Sequence, residues 1–312
     1  MGDFFMNIID KKFKDLTDDI KDKDEVEIFY HIKERFLLVN EKTRQSCENF
    51  FNKFLYWGKL DFKNKDFEFF ELKAKALKNH IDDFIWLYDN LCDYQSKKVL
   101  FATLDNWYNW NFTDLASVMQ NLYDDYFDLD LIPKCDDEVF VDLGAYIGDT
   151  TLSYINNYGT DSYRKIYCYE INQENFGYLK TNMEPYEDID LRLKGVGAEN
   201  GTMYLKENGE LSSCQVSDDG DIPVEMVSLD DDIKEEITII KSDIEGAEQK
   251  ALMGARGHII NEHPKLLISI YHSNDDVWQI PRMIKEMDNS YRFYLRYHGG
   301  MIYPTEITLI AL

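Results

Sequence analysis

Apolar residues recur every three or four positions through the first 130 residues of the chain. One helical face carries Ile81, Phe84, Leu87, Tyr88 and Leu91. Helix-breaking residues are scarce in this segment, because only Gly2 and Gly58 precede Pro133, which is the first proline. The pattern predicts an α-helical domain over residues 1–132, with helices over about 3–20, 25–56, 66–91 and 96–107. Its aromatic residues are expected to form a core.

Short β-rich runs alternate with helical stretches after Pro133. The runs are EVFVDL, KIYCYE, DLRLKGVG, VEMVSL, ITIIKSD, KLLISIY, YRFYLRYH and ITLIAL. Helices are expected from about residues 149, 173, 246 and 275. Strands separated by helices indicate an α/β fold with a mostly parallel, doubly wound sheet.

Two further β features are predicted within residues 133–312. The last two runs have no helix between them, so they are expected to form a C-terminal antiparallel hairpin. The turn-forming pairs Asn200-Gly201 and Asn208-Gly209 indicate a small β excursion over residues 198–228.

Charge and cysteine content narrow the class of protein. The 312 residues include 59 acidic and 34 basic ones, which gives a net charge of -25. Such a chain repels phosphate backbones and acidic membrane surfaces, so nucleic acid and membranes are poor candidate partners. The five cysteines have no CxxC spacing, which disfavours structural zinc and disulfides. No apolar run is long enough for a membrane span, and the expected location is cytoplasmic.

A glycine turn follows the first predicted strand, in the string VDLGAYIGDT from Val141 to Thr150. Glycines there allow a ligand to approach the backbone, and the next helix offers free N–H groups to an anion. The second strand ends on Glu170, which could accept both ribose hydroxyls of an adenosine. The alternatives are a tight turn that merely requires glycine and an acid that caps a helix.

Two ligand classes use this layout. A nicotinamide dinucleotide needs a second glycine where Tyr146 stands, because its pyrophosphate crowds the turn. S-adenosylmethionine has no phosphate; the turn can hold its carboxylate, and Asp142 can help balance its ammonium group. The sequence therefore favours S-adenosylmethionine as the cofactor.

Candidate acceptor-side residues follow later strands. Asp243 and Glu245 lie after ITIIKS, and His272 ends KLLISIYH. Histidine there could accept a substrate proton, while capping or a structural role is the alternative for each residue. The acidic run Asp230–Asp232 is expected to be a solvated loop or helix start, so no metal site is predicted.

Six segments together resemble the FkbM family of methyltransferases. They are VFVDLGAYIGDTTL, YCYEINQENFGYLKTNM, VGAENGTMYL, VSLDD, IKSDIEGAEQKALMGA and PKLLISIYH. The resemblance covers about residues 138–312 and implies a Rossmann-like class I methyltransferase sheet. One departure is Tyr146, where many relatives have Asn.

The resemblance also implies roles for the residues. Asp142, Gly144, Ala145 and Gly148 are expected around the methionine part of the donor and Glu170 at the ribose. The remaining donor-side candidates are Asn172 and Ala198 near the adenine, and Tyr146, Asp149, Thr150 and Asp243. Asp243, Glu245 and His272 are the candidate catalytic residues.

The expected function is methyl transfer from S-adenosylmethionine to a hydroxyl of a small molecule. The acceptor is expected to be a sugar, a nucleotide sugar or a surface-glycan precursor. Residues 1–132 would then bind the acceptor or support a homo-oligomer. The alternatives are an NAD-dependent oxidoreductase and a non-catalytic scaffold that retains the fold.

Overall fold

The structure, a computed structural model, describes residues 6–205, 216–217 and 222–312. The predicted turn pair Asn208-Gly209 and the fifth cysteine, Cys214, lie outside these ranges. The chain divides into two compact units, each made of segments distant in sequence. The helical unit comprises Met1–Gln120, Ile270–Arg282 and Arg292–Thr308, and the sheet unit comprises Asn121–Ser269, Met283–Tyr291 and Leu309–Leu312. The functional division predicted between residues 132 and 133 stays a prediction.

From residue 6 onward, the first six α-helices are α1 Ile8–Lys21, α2 Glu25–Leu37, α3 Glu41–Lys53, α4 Glu68–Asn90, α5 Tyr94–Asn109 and α6 Phe112–Ala116. Side-chain caps fix several of their starts; Asp24, for example, forms a reciprocal capping box with Glu27. The prediction of one helix over 25–56 is wrong. The chain leaves α2 after Leu37, and Asn40 caps α3 by accepting the N–H of Thr43 at 3.0 Å.

The aromatic residues of the helical unit pack against one another, as the sequence predicts. The rings of Phe51 and Phe69 are stacked 4.1 Å apart, and Phe36 lies 4.5 Å from Trp110. All four side chains are buried. Among the helices that the structure describes, none is both long and apolar enough to cross a membrane.

The rest of the chain alternates strands and helices. The strands are β1 Glu138–Leu143, β2 Tyr163–Tyr169, β3 Ile189–Arg192, β4 Gly195–Val196, β5 Gly201–Leu205, β6 Val216–Ser217, β7 Ile222–Val227, β8 Ile239–Ser242, β9 Lys265–Ser269, β10 Phe293–Tyr297 and β11 Ile307–Ala311. The helices are α7 Asp149–Tyr158, α8 Gln173–Met183, α9 Leu229–Asp232, α10 Glu248–Gly254, α11 Arg256–Glu262 and α12 Asp276–Met287.

Seven strands form the main sheet in the order β10-β11-β9-β8-β1-β2-β3. The pairs β1–β2, β2–β3, β1–β8 and β8–β9 are parallel, which confirms the doubly wound α/β fold. From β1 the chain moves outward to β3 and then returns to β8 on the other side of β1. Ligands bind at such a reversal, at the carboxyl ends of the strands.

The run DLRLKGVG, predicted as one strand, forms two strands in different sheets. Its first half is β3 at the edge of the main sheet, whereas its second half, β4, joins a four-stranded sheet in the order β4-β7-β5-β6. Gly195 starts β4 where a Cβ would lie 2.4 Å from the sulfur of Met226 on β7. Residues of β3 are half-buried throughout and those of β4 are buried throughout, so neither strand alternates and periodicity does not mark the change of partner. The small sheet itself is the predicted β excursion.

One lysine is fully buried in the helical unit. Lys73 on α4 donates to the hydroxyl of Tyr303 at 2.6 Å and to the side-chain oxygen of Asn274. Its Nζ also lies 3.6 Å from the ring centre of Trp107. Burial lowers the pKa of Lys73 well below its ordinary 10.5, and the carboxylate of Asp275 opposes this shift only in part.

We expect Lys73→Ala to lower the free energy of unfolding by about 2–4 kcal/mol, through a cavity and two polar groups left without their donor. A lowered folded-state pKa means that the unfolded chain binds more protons, so the Lys73 contribution to stability rises with pH up to about 10.5. Lys73→Met should remove that rise. Denaturant unfolding across this pH window is the measurement, with exposed Lys75→Ala as control. Equal losses from both alanine variants would contradict the prediction.

Candidate functional site

The turn after β1 is held against the loop after β8. Gly144 has a φ of 75°, and a Cβ there would lie 1.9 Å from the backbone oxygen of Asp243. The Asp243 N–H donates to the carbonyl of Leu143 at 3.1 Å. Glycine is therefore required at 144 for both backbone conformation and space. The two strand ends meet without room for a side chain between them.

Gly148 is required for a different reason. It has a φ of 90°, and a Cβ there would meet the methyl end of Met183 at 2.7 Å. The constraint is close packing of α7 against α8 through flexible side chains. Asp149 and Thr150 form the first turn of α7, immediately after this glycine.

Asp142 lies in the centre of the sheet and is fully buried. One carboxylate oxygen pairs with the Lys241 ammonium at 3.0 Å, and the other accepts the Thr151 hydroxyl at 2.8 Å. Burial by itself lowers the pKa of Lys241, but the carboxylates of Asp142 and Asp243 raise it above its ordinary value. The lysine stays charged and also donates to the carbonyl of Gly144 at 3.0 Å. The charge of Asp142 is thus balanced within the protein.

Glu170 follows β2 and ties the turn after β1 to the start of α8. Its carboxylate accepts the backbone N–H of Tyr146 at 2.9 Å on one oxygen and that of Asn172 at 2.6 Å on the other. Burial raises the pKa of Glu170, and the backbone N–H groups of Asn172, Tyr146 and Ile171 offset the shift only in part. A carboxylate oxygen can accept more than one hydrogen bond, so the group could also accept ligand hydroxyls.

The two residues that were predicted to lie near the adenine have different structural environments. Asn172 caps α8 and accepts the N–H groups of Glu174 and Asn175. Ala198 is exposed in the loop after β4. The start of β4 lies close to the end of β2, because a Cβ on Gly195 would be 3.2 Å from a methyl carbon of Ile171.

Asp243 is held by a residue that precedes the sheet. The Tyr126 hydroxyl donates to the Asp243 carboxylate at 2.8 Å and lies 3.0 Å from the Ser269 hydroxyl. Tyr126 is buried in a left-handed conformation, and the Lys241 ammonium lies 5.3 Å from its ring centre. The carboxylate is therefore fixed in orientation at the end of β8.

The loop after Asp243 turns through two left-handed residues, Glu245 and Gly246, with φ values of 59° and 95°. The buried carboxylate of Glu248 accepts the N–H of Ile244 at 2.9 Å and that of Gly246 at 3.4 Å. Glu248 thus fills the N–H-accepting role that the sequence assigned, as an alternative, to Asp243 or Glu245.

His272 belongs to the helical unit, in the segment Ile270–Arg282. It is buried, and its ring packs edge-on against Tyr56 at 5.4 Å. In the same segment, the backbone carbonyl of Tyr271 accepts the Trp57 indole N–H at 2.8 Å. The role of His272 as a proton acceptor stays a prediction.

The three acids Asp230–Asp232 form the short helix α9, which confirms a helix start but not a solvated loop. Asp230 accepts the backbone N–H groups of Gly257 and His258 at 2.7 and 3.1 Å. Asp232 accepts the Tyr169 hydroxyl at 2.6 Å and pairs with Arg192. These two acids stabilise the protein through its own donors.

Four further residues shape this site and were not among the candidates that the sequence indicated. One had a visible signal: Lys241 is an ionisable residue inside an apolar strand and therefore needs a buried partner. The others had none, because their contacts depend on how separate segments fold. These residues are Thr151, Tyr126 and Glu248.

We expect Gly144→Ala to be far more damaging than Gly148→Ala. Both place an alanine at positive φ, which costs about 1–2 kcal/mol. Only Gly144→Ala also drives a Cβ into a backbone oxygen, so it should abolish binding of S-adenosylhomocysteine. Calorimetry and thermal melting of the matched pair test this. Similar effects of the two substitutions would show that backbone crowding at 144 is unimportant.

The Lys241–Asp142 ion pair predicts that a second substitution, at Asp142, restores stability lost on substituting Lys241. Lys241→Met should cost about 3–5 kcal/mol, because it leaves a buried carboxylate without its cation. Adding Asp142→Asn should recover much of that loss, since the pair is then neutral. Unfolding free energies test this, with exposed Lys250→Met as the matched control. A double variant no more stable than Lys241→Met would refute the pairing.

Comparison with known proteins places this geometry in a family. The family model of the methyltransferase FkbM domain matches residues 142–299, just over half of the 312 residues. The crystal structure of methyltransferase FkbM from Methylobacillus flagellatus KT is 23% identical, with a TM-score of 0.66. That alignment covers 86% of this chain and 70% of the other. Among curated proteins there is no significant match.

Two other solved structures match more weakly. An rRNA methylase from Streptococcus thermophilus is 16% identical with a TM-score of 0.37, covering 57% of this chain and 86% of that one. A putative methyltransferase from Streptococcus mutans, in complex with SAH, is 12% identical with a TM-score of 0.36, covering 59% and 94%.

The family match covers the glycine turn, Glu170, the loop after β8 and His272. It confirms the resemblance, the class I methyltransferase fold and S-adenosylmethionine as the cofactor. Because the matched family is one of methyltransferases, it argues against the alternative of an NAD-dependent oxidoreductase. The chain belongs to the FkbM family of methyltransferases.

Proposed function

We propose that this protein transfers the methyl group of S-adenosylmethionine to a hydroxyl of a sugar-containing small molecule. The observation that carries the proposal is the contact between Gly144 and the backbone of Asp243. It brings the loop after β8 against the turn that is expected to hold the donor. A polar side chain fixed by Tyr126 then stands at the strand reversal where ligands bind.

The residues present fit the donor. Gly144 lets the loop after β8 lie directly against the turn, and the first turn of α7 offers N–H groups to the donor's carboxylate. The Glu170 carboxylate, already oriented by backbone N–H groups, can accept the ribose hydroxyls as well. The ion pair of Lys241 with Asp142 holds the turn from within the sheet.

When bound, S-adenosylmethionine supplies an activated methyl group on a positively charged sulfur. The acceptor oxygen forms a bond to the methyl carbon as the carbon–sulfur bond breaks, and the hydroxyl proton must leave. The protein has to align the acceptor, exclude water and take that proton. We assign proton acceptance to Asp243, with His272 as the alternative and Glu245 in a supporting position.

The net charge of the chain and its family support the proposed class of acceptor. A net charge of -25 disfavours polyanions such as nucleic acid, and membrane surfaces for the same reason. The resemblance to FkbM enzymes favours a sugar, a nucleotide sugar or a glycan precursor. The helical unit would bind part of this acceptor or support a homo-oligomer.

Turnover and donor affinity of four variants test the assignment. The assay screens sugars and nucleotide sugars for formation of S-adenosylhomocysteine, and calorimetry measures donor binding. Asp243→Asn should lower turnover by about 10²–10⁴-fold with donor affinity within a few-fold, because a lost base affects only the chemical step. Glu170→Ala should instead weaken donor binding by about 1–3 kcal/mol.

The two remaining variants decide between bases. Glu245→Gln should have a smaller effect than Asp243→Asn. If His272→Ala alone abolishes turnover, His272 is the base. Normal turnover in all three acceptor-side variants would remove the proposed base assignment. Donor binding without turnover on any hydroxyl acceptor would instead support the non-catalytic scaffold.

A further inference from the structure

Tyr146, in the turn after β1, has an unusual backbone conformation. Its φ is 48°, in the left-handed region that a bulky side chain seldom adopts. Hydrogen bonds hold the backbone on both sides of it. The Ala145 N–H donates to the carbonyl of Tyr169 at 2.9 Å, and the Asn182 amide donates to the carbonyl of Ile147 at 2.8 Å. Strained conformations that their surroundings hold in this way cluster at active sites and ligand sites.

Contacts of the Tyr146 side chain within the protein do not offset this strain. The residue is half-buried, and its backbone N–H donates to the Glu170 carboxylate at 2.9 Å. Its hydroxyl and its ring have no hydrogen bond, ion pair or aromatic contact with any residue in the described ranges 6–205, 216–217 and 222–312. A ligand at the turn would supply the partner that the ring lacks there.

The position of Tyr146 in the turn places its side chain beside the ligand. In a doubly wound fold, the third residue of this turn, counted from Gly144, must be glycine when a dinucleotide binds, because the pyrophosphate lies directly against the backbone there. A side chain at this position therefore borders the bound ligand. S-adenosylmethionine has no pyrophosphate, so it leaves room for an aromatic ring.

The hydrogen bonds of Glu170 indicate which part of the donor lies next to Tyr146. One carboxylate oxygen accepts the Tyr146 N–H, and the other accepts the Asn172 N–H at the start of α8. In the proposed donor site the ribose lies at Glu170 and the adenine lies towards Asn172. The turn is then on the opposite side of the ribose, where the sulfur is attached. The ring of Tyr146 therefore belongs with the sulfonium and not with the adenine.

The sulfonium carries a positive charge that an aromatic ring can stabilise. Asp142 does not provide a free negative charge, because its carboxylate is paired with the Lys241 ammonium at 3.0 Å. The face of an aromatic ring attracts a cation through its quadrupole, and the attraction is stronger where water is excluded. A half-buried tyrosine ring at the turn meets this requirement.

We propose that the ring of Tyr146 contacts the sulfonium of S-adenosylmethionine through a cation–π interaction. The site then prefers the charged donor over its neutral product, S-adenosylhomocysteine. Loss of the methyl group removes the charge that the ring attracts, so the same contact favours release of the product. This inference rests on the donor site of the proposed function and requires no acceptor.

Calorimetry of both ligands on the full-length protein tests the contact. Tyr146→Leu keeps an apolar side chain but removes the ring. It should weaken binding of S-adenosylmethionine by about five- to thirtyfold and that of S-adenosylhomocysteine by less than about threefold. Tyr146→Phe retains the ring and should bind both ligands almost normally. Tyr178→Leu, which removes an exposed tyrosine of α8, is the matched control and should change neither affinity.

Two further substitutions separate the charge effect from folding and packing. Asparagine tolerates a left-handed backbone, so Tyr146→Asn should fold and show the same selective loss even if Tyr146→Leu does not fold. Replacing Tyr146 with phenylalanine carrying one, two or three fluorines withdraws electron density from the ring face. Affinity for S-adenosylmethionine should then fall stepwise with fluorine number, whereas affinity for S-adenosylhomocysteine should not.

The outcomes distinguish this inference from the proposed function. Equal losses of both ligands in Tyr146→Leu would assign the ring to a part that they share, and unchanged affinities would remove the contact; either result overturns the proposal. Glu170→Ala should weaken both ligands alike. If it does so while Tyr146→Leu changes nothing, the donor site stands and the cation–π contact is wrong. If neither ligand binds the unsubstituted protein, the donor site is refuted and this inference with it.

Discussion

The buried ion pair between Lys241 and Asp142 constrains the arrangement of the strand ends. Both residues lie at the carboxyl ends of adjacent strands, and a charge buried there is tolerated only when it is paired and hydrogen-bonded. Thr151 and the carbonyl of Gly144 complete the set of partners. The ion pair therefore links three features of the fold: the register of β1 against β8, the start of α7 and the glycine turn.

This constraint makes the turn after β1 rigid. Gly144 allows the loop after β8 to approach closely, and Glu170 fixes the other side of the turn through the N–H of Tyr146. Tyr126, which precedes β1 in the chain, orients the Asp243 carboxylate through its hydroxyl. The turn after β1 and the Asp243 carboxylate are thus each fixed by hydrogen bonds within the protein.

The helical unit is more than a segment in front of the sheet. It takes in Ile270–Arg282 and Arg292–Thr308, and the buried Lys73 binds one residue of each through Asn274 and Tyr303. His272 lies in the first of these two segments. A candidate catalytic residue therefore belongs to the helical unit and not to the sheet unit.

Local sequence determined the elements and the family. Periodicity separates the helices from the strands, and glycines and acids at fixed spacing specify the turn after β1 because backbone conformation there is a local property. The same periodicity nevertheless predicted one helix where α2 and α3 form, and one strand where β3 and β4 form. Tertiary structure alone decided that Glu248 accepts N–H groups of the loop after β8, and that Tyr126 reaches Asp243. It also decided which distant segments complete the helical unit. These contacts join residues far apart in sequence, and they depend on chain packing that no local spacing encodes.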